Sequence, residues 1–219
     1  GFLCGMAMAL DYAGFVPAGV LALYFVATRA RTAGLGRALA EAVPSVLGAL
    51  PPLAFLCGTQ WAMYGDPLTP GQFVMREVNY TDRGLRGMGF PSLEVFLKNL
   101  LSPSYGMLIY APVLALGFLP AARRAGETLL FPRRERRWSA AYVLAFLLFC
   151  AANWYSLMQF NTGFRYLLPV VPFVFLAASD HLARLPRKWL AAVALASIAH
   201  QGVLSMAREV NDTEKILRD

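Results

Sequence analysis

The chain has 219 residues, of which 58% are hydrophobic and only 15% charged, with a mean hydropathy of +0.50. A soluble domain carries about a quarter of charged residues, so the composition excludes an ordinary water-soluble globule and points to an integral membrane protein. The net charge of +7 is not a nucleic-acid signature, because the basic residues are scattered through short polar loops with no basic stripe interleaved with aromatics.

Several apolar stretches are long enough to cross a ~30 Å hydrocarbon core as helices, and their unbroken apolarity, without strict alternation, argues against a barrel. The expected fold is all-α: a polytopic bundle of six spans, at about 2–28, 42–63, 104–120, 139–156, 165–180 and 189–206, forming a single transmembrane domain over residues 1–219. The opening GFLCGMAMAL has neither an initiator Met nor a basic n-region, so the chain reads as part of a longer protein. Cys4, Cys57 and Cys150 all fall in apolar stretches with no paired spacing and read as packing residues.

The first stretch contains Asp11, the one carboxylate well inside an apolar segment. An acid at the bilayer centre costs about 2.5–3.5 kcal/mol, which makes it a functional candidate. Gly14 and Pro17 follow closely and allow residues 1–28 to be two short helices meeting near the external face, with Asp11 in an external cavity. The plainer alternative is a buried aspartate paired with tyrosine or backbone donors on a neighbouring helix. Both readings put Asp11 inside the bundle.

Segments 29–41, 121–138 and 181–188 hold twelve of the 20 basic residues, so the positive-inside rule makes them cytoplasmic. The segment 64–103 and the C-terminus are then external. Within 64–103 the stretch SLEVFLKNLL has helical spacing, with Ser92 as N-cap. Leu93, Phe96, Leu97, Leu100 and Leu101 share one face, as expected of a short helix lying along the outer membrane surface. The same segment carries Arg76, Arg83, Arg86 and Lys98 against Asp66, Glu77, Asp82 and Glu94, a mixture typical of a solvated surface. Arg76 is retained as a candidate to close over a bound anion.

The fifth span begins FNTGFRYLLPVVPF. Arg165 reads either as an interfacial arginine snorkelling to the headgroups or as a phosphate ligand. Gly163 permits close approach, Tyr166 adds an amphipathic ring, and Pro169 and Pro172 interrupt the helical ladder. Arginine's planar fork suits phosphate, so the set describes a phosphate seat at the outer leaflet. His200 reads as a satisfied bundle histidine, and with His181 the only other one no His-based metal cluster can form.

Taken together, NWYSLMQFNTGFRYLLPVVPF, YGDPLTPGQF, GFPSLEVFLKNLLSPSYGMLIYAPVL and GMAMALDYAG resemble, in order, motifs of bacterial multipass glycosyltransferases of the GT-C type, the superfamily that includes protein mannosyltransferases. The resemblance implies transfer of a sugar from a polyprenyl-phosphate donor to an acceptor at the external face of the bacterial inner membrane. The partners implied are membrane lipids and the lipid-linked sugar, with no nucleic acid. It assigns Arg165 to the donor phosphate, and the residues read directly add Tyr166, Asp11 and Arg76 as further substrate-binding candidates. Tyr105 stands where many relatives have arginine, and Asp11 lies in a helix that often carries a cation. The family's catalytic acid, a general base or metal contact in the first external loop, is expected upstream of Gly1, so this chain alone is expected to be inactive. No cofactor is expected; a divalent metal is compatible, although no ligand set is visible. The alternative class is a transporter or flippase for a lipid-linked or anionic substrate, which would use the same arginine and proline-broken helices.

Overall fold

An aspartate can accept a hydrogen bond from its own backbone two residues on, and a glycine lets two backbones meet; LDYAG offers both. In a computed structural model, which describes residues 1–74, 80–120, 132–157 and 164–216, this stretch reverses the chain. Helix α1 (Phe2–Leu10) ends at Asp11, whose backbone is extended; a 3-10 turn spans Tyr12–Gly14 and helix α2 runs Phe15–Ala33. The Asp11 carboxylate accepts from the Ala13 N–H at 2.8 Å. A Cβ on Gly14 would stand 2.5 Å from the Ala7 carbonyl, so the returning chain passes directly against α1. The expected first span, 2–28, is therefore two helices joined at a sharp turn.

Helix α3 (Leu35–Tyr64) follows after Gly34, whose φ of +83° is readily available only to glycine. Arg29 donates to Glu41 at 2.6 Å, and Arg37 reaches the other oxygen of the same carboxylate at 3.2 Å, tying the α2–α3 turn. At the other end Gln60, buried in α3, donates to the Tyr12 hydroxyl. Helix α1 lies parallel to α3: Gly1 meets Ser45, Phe2 meets Gly48 and Gly5 meets Ala49. Small residues allow this approach between helices whose faces are otherwise apolar. Helix α3 continues through Pro44, Pro51 and Pro52, where the missing N–H groups release the carbonyls of Ala40, Leu47 and Gly48.

Because a Cβ on Gly5 would stand 2.6 Å from the Ala49 carbonyl, Gly5→Ala is expected to destabilise this unit by about 1–3 kcal/mol through overpacking. Gly58 on α3 has open space around its Cα, and Gly58→Ala should stabilise the helix by roughly 0.5–1 kcal/mol. Denaturant unfolding in detergent should give opposite signs for the two variants; equal signs would contradict the close α1–α3 approach.

The chain divides into two compact units, Gly1–Asp82 and Arg83–Asp219. The second contains α4 (Leu93–Leu101), α5 (Met107–Tyr110), a 3-10 segment Pro112–Phe118, α6 (Arg133–Ala152), 3-10 turns at Trp154–Leu157 and Arg165–Val170, α7 (Val171–Leu182) and α8 (Arg187–Ile216). Among the described residues there is no β-strand, only isolated bridges Leu85 to Met88 and Met88 to Asn153. The protein is all-α, as its apolar pattern indicates.

Among the described residues, two segments are long and apolar enough to cross a membrane: Tyr12–Ala33, with 22 residues, and Leu35–Tyr64, with 30. Only 6% of the most apolar window of each is buried in the protein, whereas the core helix of a soluble domain would be mostly covered. Of the remaining expected spans, the third and fifth are not regular long helices. The third divides between α5 and a 3-10 segment, because Pro112 cannot donate and Ala111 leaves helical geometry. The fifth begins as 3-10 over Arg165–Val170, with Pro169 inside it, and becomes α-helical at Val171 with Pro172 in its first turn. The 3-10 form rises about 2.0 Å per residue against 1.5 Å, so this mixed element still reaches about 30 Å. Helix α6 starts earlier than expected, at Arg133, and α8 runs to Ile216.

Candidate functional site

The C-terminal end of α6 leaves carbonyls without intrahelical donors, and a loop from the preceding chain supplies them. Asn153 turns to an extended conformation and stops the helix. The Gly89 N–H donates to Ala152 at 2.8 Å, the Ser92 N–H to Ala151 at 2.9 Å, and Trp154 in return donates to the Gly87 carbonyl at 2.8 Å. Gly87 has φ of +83°, and a Cβ there would stand 2.5 Å from the Tyr155 ring, so a side chain is excluded on both counts. This docking brings the Arg83 guanidinium 4.0 Å from the centre of the Trp154 ring, a cation–π contact.

Beneath the loop, Asn99 of α4 donates to the Ser156 hydroxyl at 2.8 Å, and Ser156 donates to the Cys150 carbonyl at 2.9 Å. Asn99 and Ser156 are both 1% exposed, so this chain of bonds fixes α4 against α6 in a place water does not reach.

Arg165 opens the 3-10 segment that leads into α7. Its side chain is exposed, and its guanidinium lies 5.1 Å from the centre of the neighbouring Tyr166 ring. This is a cation–π contact between neighbouring side chains. Phe164, just before it, packs edge-to-face on Tyr110 with centroids 6.3 Å apart, and Tyr110 donates to the Ser104 carbonyl at 2.7 Å. The segment SPSYGMLIY therefore meets the chain at Phe164, directly before Arg165; Gly163 lies outside the described residues. Behind Arg165, the Tyr142 hydroxyl donates to the Pro169 carbonyl at 3.2 Å and its ring packs on Phe173 at 4.6 Å.

His200 is a satisfied structural residue. The break at Ala111–Pro112 frees the carbonyls of Ile109 and Tyr110; the His200 Nε2 lies 2.6 Å from the first and Gln201 donates to the second. Helix α8 thus caps the interrupted third element.

Arg165 and Tyr166 are brought together as adjacent side chains. Asp11 belongs to the other unit; it is exposed rather than enclosed, and one carboxylate oxygen accepts from the turn it caps. Arg76 lies outside the described residues. Among the described residues, no three His, Cys, Asp or Glu side chains gather as a metal site requires. The Arg83–Trp154 stack and the Tyr110–Phe164 contact were not assigned roles from sequence, because each joins segments more than 50 positions apart.

One acidic residue of the 64–103 segment has a clear local role. Asp66 accepts from the Leu68 N–H at 2.9 Å and the Thr69 hydroxyl at 2.7 Å, and these bonds hold its carboxyl below the ordinary aspartate range. A depressed pKa means that the turn's stabilisation is present above the unfolded value, about 3.9, and is lost as pH falls through the lower folded value. The Leu68 amide resonance should therefore titrate with a midpoint below about 3.9. In Asp66→Asn that titration should disappear while the turn persists; an unchanged titration would reassign it to another group.

Comparison of the chain with protein-family models, with curated proteins and with solved structures finds no match.

Proposed function

We propose that the chain is part of an integral membrane glycosyltransferase of the GT-C type, which moves a sugar from a polyprenyl-phosphate donor to an acceptor at the external face, with Arg165 holding the donor phosphate. The observation that carries this reading is the packing of Phe164 on Tyr110, which brings the two most motif-like stretches, SPSYGMLIY and FRYL, to one place. Phosphate is the leaving group of such a transfer, and a fixed guanidinium would stabilise the charge that develops on it. The exposed apolar surfaces of Tyr12–Ala33 and Leu35–Tyr64 support placing those helices in lipid.

In this reading Arg165 is the phosphate ligand, Tyr166 orients it, and Arg83 on its Trp154 platform is a further cation of the same unit. The test is sugar transfer by the whole protein in vesicles from a polyprenyl-phosphate donor. The absence of any transfer with a range of sugar donors, together with donor-lipid movement between leaflets, would select the transporter or flippase instead. That second reading draws on the interrupted elements at Ala111–Pro112 and Arg165–Val170, since transporters place broken helices at their substrate sites.

A further inference from the structure

Helix α4 has a buried side and, opposite it, an exposed apolar stripe. Val95 and Asn99 are buried against the rest of the unit, at 0% and 1% exposure. At 100° per residue, Leu93, Leu97 and Leu101 form a stripe centred on the opposite face, and they are 72%, 44% and 51% exposed. Phe90, in the turn that leads into the helix, is 97% exposed. Between the two sides runs a charged ridge, Glu94 with Lys98, joined at 2.7 Å. That bond keeps the Glu94 carboxyl below its ordinary range.

The helix also has a defined direction. Ser92 bonds to Ala151 and Asn99 bonds to Ser156, whose hydroxyl bonds to Cys150. Residues 92 and 99 are about 10 Å apart along α4, yet both attach at the same end of α6. Helix α4 therefore crosses the end of α6 and does not run alongside it. If α6 follows the membrane normal, α4 lies in the membrane plane with its exposed leucines turned away from the protein.

We infer that α4, with Phe90, is a lipid-docking element that inserts its leucine stripe into the outer monolayer. The inference rests on the membrane reading above. Four side chains expose on the order of 500 Å², less than the roughly 800 Å² per partner of a stable protein interface. Apolar exposure does not stop at α4: Leu144 and Leu148 on α6 and Phe175 and Leu176 on α7 are also exposed. A surface that is apolar on successive elements suits a continuous apolar solvent better than one protein partner. Phe90 and the stripe would sit just under the headgroups, with the Glu94–Lys98 ridge at their level.

The test uses the whole protein in vesicles of phosphatidylethanolamine and phosphatidylglycerol, with Cys4 and Cys57 replaced by serine and the buried Cys150 retained. Nitroxides are attached singly at Phe90→Cys, Leu97→Cys, Leu101→Cys, Glu94→Cys and Lys98→Cys, with Leu47→Cys on the apolar face of α3 as reference. Collision with dissolved oxygen is compared with collision with a water-soluble nickel chelate. Oxygen should dominate severalfold at 90, 97 and 101, and nickel at 94 and 98. Nickel dominance at all five, with Leu47→Cys in lipid, overturns the docking role and leaves the membrane reading standing. Low collision with both reagents at 90, 97 and 101 means that protein covers the stripe, and also overturns it. Nickel dominance at Leu47→Cys as well would sink the membrane reading itself.

Discussion

Arg165→Ala in the whole protein is expected to lower sugar transfer from a polyprenyl-phosphate donor by about 10²–10³-fold, the loss seen when one fixed donor is removed from a developing negative charge. The size follows from what the guanidinium would do. The ester oxygen of the donor gains charge as the sugar leaves, so a cation held at that oxygen acts more strongly in the transition state than in the ground state. The loss should fall mainly on kcat, with a smaller change in donor affinity. Arg165→Lys keeps the charge but loses the fork and the stack on Tyr166, so it should recover only part of the rate. Because the side chain is exposed, neither substitution opens a cavity, and unfolding midpoints should stay unchanged. Wild-type turnover and donor affinity in Arg165→Ala would remove the phosphate role. An interfacial arginine that merely snorkels would give that result.

How far the fold was legible depends on the range over which each feature is decided. The helical class follows from unbroken apolar runs. The interfacial-type helix at 93–101 is equally local: Glu94 and the leucine spacing specify it, and it forms at those residues, with Ser92 at the N-cap position but making no side-chain capping bond. The hairpin at Asp11 was legible as a possibility, since Gly14 and Pro17 allow two helices over residues 1–28, although a hydropathy window alone cannot distinguish one long span from two helices that fold back. The cue was there in LDYAG, since an aspartate that accepts from the second residue on, followed by a glycine, is turn chemistry. The same cue removes the energetic puzzle of a carboxylate deep in lipid, because Asp11 caps a turn. The break at Ala111–Pro112 was a different problem. Proline signals that a donor is missing, but the groups that satisfy the freed carbonyls, His200 and Gln201, are about 90 residues away and invisible to local pattern. Around Arg165, the prolines indicated an interrupted ladder and the 3-10 geometry realises it. Its neighbour Phe164 meets Tyr110 only through tertiary packing.

Asp180→Ala is expected to destabilise the second unit by about 3–5 kcal/mol, the largest stability loss foreseen for a single side chain here. Sequence counted Arg136 among the topogenic basic residues, yet among the described residues of that cluster it is the arginine that turns inward. Its side chain is 16% exposed, it donates to Asp180, itself 4% exposed, and its other terminal nitrogen donates to the Ala177 carbonyl at 2.8 Å. Removing the carboxylate strands a cation that has already been desolvated, and that penalty exceeds the attraction lost. Arg136→Leu combined with Asp180→Leu removes both charges and should lose much less than the sum of the single changes. A double-mutant cycle in denaturant would measure the difference, and additive losses would show that the charges do not interact. The pair also has a consequence at a distance. It joins the start of α6 to the end of α7, and six residues further along α6 the Tyr142 hydroxyl meets the Pro169 carbonyl in the 3-10 segment that precedes α7, four residues from Arg165. A slip of α7 by one turn would carry the 3-10 segment and its arginine about 5 Å along α6. Asp180→Ala should therefore lower transfer even at temperatures where the protein stays folded, while the double leucine variant, if it keeps the register, should retain it.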